Sequence, residues 1–214
     1  MPAFLVITKI ESQKNRPHRK SVYLDGKFAF GADEELIREF ELEEEKKLSQ
    51  RELKQILWSV DRSKLKERAI RLLSIRPRSE KELKEKLRQK GAGVRLIEEV
   101  VRELKEKYLL DDEKFAYSWA ESRMLNKPMG KFLLKRELKG KGVKAEIIER
   151  VIAENYQKED ELELAKKLLQ RKARRFKDTD DLKTKKRVTD FLLRRGFSYE
   201  VVRQAVKGLE EYSE

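Results

Sequence analysis

Apolar residues follow two different patterns along this chain. The segment from Phe4 to Glu11 is rich in β-branched residues, and two short apolar runs lie on either side of Asp25-Gly26. β-branched residues favour strands, and Asp-Gly is a preferred two-residue hairpin turn. From Leu36 onward, apolar residues recur at the spacing of an amphipathic helix. The pattern therefore predicts a small three-stranded β-meander within residues 1–31, followed by helices.

Residues that interrupt strands separate the first two predicted strands. Asn15, Pro17 and several basic residues lie within residues 13–20, and such clusters are typical of loops. We therefore expect a loop there, with His18, the one histidine of the sequence, in solvent.

Two capping boxes mark helix starts. Ser49 stands three residues before Glu52, and Ser79 stands three residues before Glu82. In this arrangement the hydroxyl and the carboxylate bond backbone N–H groups that have no partner inside the helix. Apolar residues at helical spacing follow both boxes, so we expect helices to begin at these two places.

The most informative feature is an internal repeat. Gly91, Gly142 and Gly196 are separated by 51 and 54 residues, with apolar residues eight and four positions before each glycine and six, nine and ten positions after it. The pattern predicts a helix that ends with glycine at its C′ position and a second helix after it. The apolar positions are Leu83, Leu134 and Val188; Leu87, Leu138 and Leu192; Ile97, Ile148 and Val202; Val100, Val151 and Ala205; Val101, Ile152 and Val206.

A further helical segment precedes each pair, at residues 65–75, 115–125 and 162–176. The repeat is therefore three helices used three times, and because so small a unit buries its apolar face poorly alone, we expect neighbours to stack. The predicted fold is mainly α, with tandem three-helix repeats stacked into an elongated curved array and a small N-terminal β-meander. The predicted domains are residues 1–60 (the meander plus short helices) and 61–112, 113–160 and 161–214 (the three repeats).

The net charge indicates the kind of partner. The 214 residues include 53 Lys and Arg against 40 Asp and Glu, a formal net charge of +13. Residues 1–60 hold 11 basic and 11 acidic side chains, so all the excess lies after residue 60. Cationic surfaces bind polyanions because binding releases condensed counterions. The composition therefore favours a nucleic acid or nucleoprotein partner.

Few kinds of catalytic or metal chemistry are open to this sequence. It has no cysteine and one histidine, which excludes thiol nucleophiles, disulfides and zinc sites built on thiolates. Asp111-Asp112 and Asp180-Asp181 precede helical patterns, and we interpret them as N-caps rather than metal ligands. Gly140-Lys141-Gly142 follows a helix instead of a strand, so we do not expect a phosphate loop. We expect no enzyme activity, no cofactor and no metal.

No apolar stretch in the sequence approaches the roughly 18 residues that span a bilayer. The short apolar run at its start has no basic segment before it, unlike a secretory signal. We therefore expect a soluble, cytoplasmic monomer without membrane contacts.

One aromatic pair could stack on nucleic-acid bases. Phe115 and Trp119 lie four residues apart on an apolar helix face that they share with Ala116 and Ala120. Stacking on such rings is a common mode of single-strand binding. The apolar neighbours favour a place in the core instead.

Basic residues form the main candidate binding site. Lys131, Lys135 and Lys139 follow an i, i+4 line on one predicted helix. Related positions of the second and third repeats are both basic, which favours a continuous cationic stripe over scattered solubilising charge. The candidate residues for contact with DNA or a nucleoprotein filament are Lys131, Lys135, Arg136, Lys139, Arg171, Lys172, Arg174, Arg175, Lys185, Lys186, Arg187, Arg194 and Arg195.

Three motifs follow one another along the helical part of the chain. They are Arg78-Ser79-Glu80-Lys81-Glu82-Leu83 continuing to Lys90-Gly91, Leu110-Asp111-Asp112-Glu113-Lys114-Phe115-Ala116 continuing to Trp119 and Arg123, and Gly130-Lys131-Phe132-Leu133-Leu134-Lys135-Arg136-Glu137-Leu138 continuing to Lys141-Gly142-Val143. In this order and spacing they resemble the RecX family, regulators of the RecA recombinase. The resemblance covers about residues 65–160 and extends more weakly through the third repeat.

The resemblance implies a non-enzymatic regulator that binds RecA, above all its filament on single-stranded DNA. It implies inhibition of ATP hydrolysis and strand exchange, and hence a role in homologous recombination, DNA repair and the SOS response to DNA damage. A stacked helical body in the filament groove would place the cationic stripe near DNA. Contacts with single- and double-stranded DNA would then be mainly to phosphates, without sequence specificity.

Two other functions fit the sequence. One is a DNA-binding protein that acts without RecA, either architectural or a helix-turn-helix regulator, because short helices joined by glycine turns and a basic surface suit both. Footprinting at a specific sequence would favour the regulator. The other is a helical adaptor whose charges only maintain solubility, which failure to bind nucleic acid at low salt would favour.

Overall fold

The computed structural model describes residues 4–158, 161–173 and 182–210. The N-terminal part contains the strands β1 (Phe4–Gln13), β2 (Arg16–Leu24), β3 (Lys27–Asp33) and β4 (Lys47–Ser49). These strands form one antiparallel sheet in the order β3-β2-β1-β4. The three strands predicted from the sequence are confirmed, and β4 is an addition to them.

The turn between β2 and β3 forms at Asp25-Gly26, as predicted. Both residues have positive φ, 47° and 81°, which is the backbone of the hairpin turn that Asp-Gly favours. Asp25 Oδ1 also accepts a hydrogen bond of 3.0 Å from the Val6 N–H. The turn is thereby tied to the neighbouring strand β1.

The loop predicted at residues 13–20 is wrong. β1 and β2 extend to a short connection, and His18 lies exposed within β2. Between its pairs at Arg16 and Lys20, β2 has three residues that the ladder with β1 skips. Pro17 lies in this bulge, where its missing N–H removes no ladder bond. A proline is therefore compatible with this strand, although the sequence pattern predicts a loop.

Two helices cover this sheet: α1 (Glu34–Glu39) and α2 (Gln50–Ile75). Ile7 and Val22 from the sheet and Ile56 and Val60 from α2 belong to one buried apolar cluster. The predicted capping box at the start of α2 is confirmed by a 2.8 Å bond from the Ser49 N–H to Glu52 and a 3.2 Å bond from the Glu52 N–H to the serine hydroxyl.

Eight more helices follow in the described residues. They are α3 (Glu80–Arg88), α4 (Val94–Glu106), α5 (Asp112–Asn126), α6 (Lys131–Gly140), α7 (Ala145–Lys158), α8 (Glu161–Ala173), α9 (Leu182–Arg194) and α10 (Tyr199–Glu210). The repeat is therefore α2-α3-α4, α5-α6-α7 and α8-α9-α10. Ser79 starts α3 as predicted, because its hydroxyl accepts a 3.2 Å bond from the Glu82 N–H.

The repeated glycines end the middle helix of each repeat, as the sequence predicts. Gly91, Gly142 and Gly196 have φ of 83°, 81° and 83°, a conformation that is costly for residues with a Cβ. After α6 the Gly142 N–H bonds the Lys139 carbonyl and the next N–H bonds the Leu138 carbonyl, the two bonds of a Schellman motif. α9 ends with the same pair of bonds.

The predicted apolar positions around these glycines line the core. All are buried except Val206, and those of the second and third repeats belong to one apolar cluster, against which the partly buried Val206 packs. Phe115, Ala116 and Ala120 are buried with them, and Trp119 packs against the cluster while partly exposed. The mainly α fold with tandem three-helix repeats and an N-terminal sheet is thus confirmed.

The chain divides into two compact units. The N-terminal unit contains residues 1–74 and 87–103, and the C-terminal unit contains residues 75–86 and 104–214. The boundary proposed between residues 60 and 61 falls inside α2, which is continuous. Within the described ranges, no helix has the length and apolarity needed to cross a membrane.

Candidate functional site

Helix α6 carries a row of exposed cations. Lys131, Lys135, Arg136 and Lys139 are all exposed, whereas the apolar stripe of the same helix is buried in the core. This division follows from the helical period, which places the stripe on one face and the cations on the others. Within the described part of the chain, Arg136 and Lys139 form no ion pair.

The two lysines nearer the start of α6 are partly neutralised. Lys135 Nζ bonds the Glu149 carboxylate of α7, and Lys131 Nζ lies 3.5 Å from Glu161 Oε2 of α8. Lys131 Nζ also lies 5.6 Å from the centre of the Tyr156 ring. The unpaired charge of this row is therefore concentrated at Arg136 and Lys139.

The third repeat contributes a second basic group. Lys172 Nζ of α8 lies 3.7 Å from the centre of the Phe191 ring, and the Arg195 guanidinium carbon lies 5.3 Å from the same ring. Attraction between cations and this ring holds the two charges near each other. Arg195 also donates a hydrogen bond of 3.3 Å to the Pro128 carbonyl, just before α6.

The other candidates of the third repeat vary in exposure. Arg171, Lys186, Arg187 and Arg194 are exposed, and Lys185 is half-buried and has interaction partners. Arg174 and Arg175 lie outside the described residues, as do Asp180 and Asp181. The continuity of a cationic stripe from α6 to α9 stays a prediction.

Beside α6 lies a concavity of about 560 Å³, walled by α3 and α5. The partly exposed ring of Trp119 lines it, with the Arg123 guanidinium carbon 4.4 Å and Lys141 Nζ 4.5 Å from the ring centre. Trp119 Nε1 donates to Glu137 Oε2 at 2.9 Å. The ring thus serves the core on one side and a cation-lined surface on the other.

Most charges in this concavity are already paired. Arg123 Nε bonds Glu137 at 2.8 Å, and Glu82 accepts from Arg76 at 2.9 Å and from Lys141. Partial burial raises the pKa of Glu82, but the bonds from Arg76 and Lys141 outweigh it, so that the pKa lies below its usual value. These paired groups therefore hold the walls of the concavity in place. Arg136 also lines it and forms no ion pair within the described residues, so its charge is available to a partner.

The start of α3 in the first repeat contacts the end of α6 and the start of α5 in the second repeat. We call these contacts the first joint, and they lie next to the concavity. The Ser79 hydroxyl donates to the Lys141 carbonyl at 2.7 Å, and Lys81 Nζ donates to the Gly140 carbonyl at 3.0 Å. The start of α3 thus supplies donors to carbonyls that the end of α6 leaves open, which is a general need of helix ends. The Glu80 N–H in turn bonds Asp112 Oδ1 at 2.7 Å.

The second joint repeats the first with different residues. The Gly130 N–H donates to the Arg195 carbonyl at 2.9 Å and the Phe132 N–H donates to the Gly196 carbonyl at 3.1 Å. The Lys131 N–H bonds Glu161 Oε1 at 3.0 Å. The start of α6 therefore contacts the end of α9 and the start of α8, as the start of α3 contacts the end of α6 and the start of α5.

The charged groups of this arrangement can bind an anionic partner. Among the described residues, no group of His, Asp and Glu is placed to hold a metal ion. Asp111 caps α5 through bonds from the N–H groups of Glu113 and Lys114 at 2.8 and 3.1 Å, as predicted. Asp112 contributes to the joint instead of capping its own helix. The concavity beside α6 is lined by cations and by the partly exposed indole of Trp119.

The sequence alone did not indicate the concavity. Arg123 could have been found, because it follows Trp119 by four residues and therefore lies on the same helix face. Lys81 of α3 and Lys141 at the end of α6 also line the concavity, and only the packing of these two helices brings them together there. No spacing pattern in the sequence predicts that approach.

Comparison with known proteins matches four family models along the chain. Residues 5–49 match the regulatory protein RecX N-terminal domain, and residues 66–104 and 111–152 match the first and second three-helix domains of RecX. Residues 159–206 match the third three-helix domain. Together the matches cover the sheet and all three repeats.

Relatives carry the same description. Proteins called regulatory protein RecX from Clostridium perfringens and Clostridioides difficile are 33% and 31% identical, over 97% and 98% of this chain and 99% and 98% of their own length. A crystal structure of regulatory protein RecX has a TM-score of 0.77 at 27% identity, with coverage of 94% of this chain and 98% of that chain. A RecX structure from Lactobacillus salivarius has a TM-score of 0.61 at 26% identity, over 70% and 97%.

Proposed function

Because this chain belongs to the RecX family of regulatory proteins, we propose that it regulates the RecA recombinase by binding its filament on single-stranded DNA. It acts without catalysis of its own, as a protein that occupies a surface the recombinase needs. The observation that carries this proposal is the family match over the sheet and every repeat. The match includes the N-terminal sheet and three repeats, and not a single helical repeat alone.

The surface of α6 supports a contact with a nucleoprotein. Arg136 and Lys139 are exposed and form no ion pair within the described residues. Cations of this kind bind phosphates and release counterions, without regard to base sequence. A filament of recombinase on DNA presents such phosphates next to protein surfaces. The cations of α6 would bind the DNA phosphates, while other faces of the repeats contact the recombinase.

The mechanism we propose is steric. The tandem repeats lie in the groove of the filament, span neighbouring recombinase subunits and exclude the incoming duplex. Inhibition of strand exchange follows directly, and inhibition of ATP hydrolysis follows if the bound protein holds adjacent subunits in one arrangement. We therefore propose a role in homologous recombination and in the response to DNA damage.

Single-strand-dependent ATP hydrolysis by a cognate RecA tests this proposal. The full chain is titrated at fixed salt, and a parallel curve measures its binding to the same DNA without recombinase. We expect inhibition at concentrations too low to coat the free DNA. Inhibition that appears only when the DNA is saturated, or no inhibition, would overturn it.

The second candidate function is nonspecific DNA binding without RecA. The same unpaired cations of α6 favour it, because phosphate contacts need no protein partner. The ATPase titration separates the two candidates. Inhibition at DNA saturation, with equal binding to unrelated DNA sequences, is the result expected of this second function.

A further inference from the structure

The N-terminal unit contains a basic cleft that the sequence did not indicate. Residues 1–60 are balanced in charge, yet the sheet brings two of their arginines to the side of α2. The cleft has a volume of about 430 Å³. Five cations and one carboxylate line it: Arg16, Arg19, Lys64, Arg68, Arg71 and Glu67.

The cations of α2 lie on one face of the helix. Lys64, Arg68 and Arg71 are spaced i, i+4 and i+7, which places them in one row. All three are exposed. Arg16 is the first residue of β2, pairs with Gln13 of β1 next to the bulge and lines the cleft. The sheet thus brings an arginine to the cation row of a helix.

The single carboxylate of the cleft is already engaged. Glu67 lies 3.0 Å from Arg71 Nη2 and 3.6 Å from Arg19 Nη1. Arg19 is the most enclosed cation, with 12% of its side chain exposed, and it also donates to the Gly31 carbonyl at 3.0 Å. These contacts build the floor of the cleft. Arg16 and Arg68 form no ion pair with any described residue, so their charge is open to a ligand.

An aromatic ring completes the cleft. Phe28 of β3 lines it and is 59% exposed. Its ring meets the Tyr23 ring edge-on, with centres 5.8 Å apart and planes at 80°, which holds it in place. An exposed ring beside unpaired arginines is the combination that single-stranded nucleic acids recognise, since phosphates need cations and unpaired bases need a stacking surface.

We propose that this cleft binds single-stranded nucleic acid, with phosphates on Arg16 and Arg68 and a base stacked on Phe28. It is a site separate from the cations of α6, in the other unit of the chain. An acidic protein segment would use the arginines but would gain nothing specific from the aromatic ring. The proposal does not depend on the recombinase, and its test needs DNA alone.

Binding of fluorescently labelled oligo(dT) to the full chain tests the arginines. The double substitution Arg16→Glu with Arg68→Glu should weaken binding at low salt by about tenfold or more and reduce the salt slope by about 1.4, at about 0.7 per phosphate contact of a single strand. The matched control is Arg51→Glu with Lys54→Glu, which changes charge equally at exposed positions of α2 outside the cleft. Equal losses in both variants would overturn the proposal.

Phe28 provides the test that distinguishes the ligand. Phe28→Leu should weaken oligo(dT) binding by roughly tenfold, because it removes the ring on which one base stacks, whereas Phe28→Trp should retain binding. Photocrosslinking with an iododeoxyuridine oligonucleotide should label the peptide that contains Phe28. Unchanged binding by Phe28→Leu, or competition by polyglutamate as strong as by oligo(dT), would overturn the proposal and indicate an acidic-peptide site.

Discussion

The backbone N–H of Glu80 donates a 2.7 Å hydrogen bond to the carboxylate of Asp112. One repeat later the N–H of Lys131 bonds Glu161 at 3.0 Å. In each joint the start of a middle helix is capped by an acid from the first helix of the next repeat. Burial raises the pKa of Asp112, and the bond from Glu80 only partly offsets it. The carboxylate is therefore kept at the joint despite a cost of desolvation.

The first prediction follows from this cap. Asp112→Ala leaves the Glu80 N–H without its acceptor, and loss of an N-terminal cap costs about 1 kcal/mol. We expect the melting temperature to fall by about 2–4 °C for a chain of this size. Asp112→Asn keeps an acceptor oxygen and should melt close to the parent. An alanine variant as stable as the asparagine variant would show that the bond contributes nothing.

The second prediction concerns the two kinds of repeated glycine. A Cβ at Gly196 would lie 2.3 Å from Leu133 Cβ and from its backbone nitrogen, whereas a Cβ at Gly91 would meet nothing within 4 Å. Both glycines have φ of +83°, so alanine costs roughly 1–2 kcal/mol of backbone strain at either site. Gly196→Ala should lose about 1–3 kcal/mol more by overpacking. Urea unfolding of both variants measures the difference, and equal losses would refute a tight joint.

The third prediction is a pH dependence at Glu82. Its folded-state pKa lies below the ordinary value of 4.5, so its contribution to stability is present above that value and is lost as the pH falls through the lower folded-state pKa. At neutral pH, Glu82→Gln should be less stable by about 1 kcal/mol, because the bonds to Arg76 and Lys141 weaken. This deficit should shrink below about pH 4.

Chemical unfolding at several pH values measures the Glu82 effect. Glu85→Gln is the control, since Glu85 is an exposed carboxylate of the same helix. A deficit for Glu82→Gln that stays constant from neutral to acidic pH would argue against the charged interaction.

The fourth prediction tests the surface of α6. Reversal of Arg136 and Lys139 to glutamate should weaken binding to single-stranded DNA and lower the salt slope by about 1.4. Helical content should not change, because both side chains are exposed and the buried stripe of α6 is untouched. Lys114→Glu with Lys144→Glu makes the same charge change elsewhere in this unit and should have a smaller effect. Equal salt slopes for the two variants would remove α6 from the binding surface.

The repeat is predictable from the sequence because each of its helices is defined by residues close together in the chain. Apolar spacing defines each helix, and a glycine at a fixed position ends it, so Leu134, Leu138 and Gly142 were found without any structure. β4 was not predictable, since three residues are too few to show a period. The error at residues 13–20 has a similar origin, because Pro17 excludes a regular ladder but not a bulge.

The candidate sites were less predictable than the fold. The exposure of Lys139 follows from the helical period, but the pairing of Lys135 with Glu149 depends on how α6 packs against α7. The cleft of the N-terminal unit joins Arg16 to Arg68, which are 52 residues apart. A count of charges along the chain gave no sign of it, because the first segment is neutral as a whole.

The two joints have a consequence for how such chains arise. In each joint the donors at the start of a middle helix belong to one repeat, and the accepting carbonyls and carboxylate belong to the repeat that follows. A tandem gene duplication that copies one repeat therefore copies a donor half and an acceptor half together. Such a copy would carry both sides of a joint, because the start of its middle helix supplies donors and the end of the same helix supplies carbonyl acceptors.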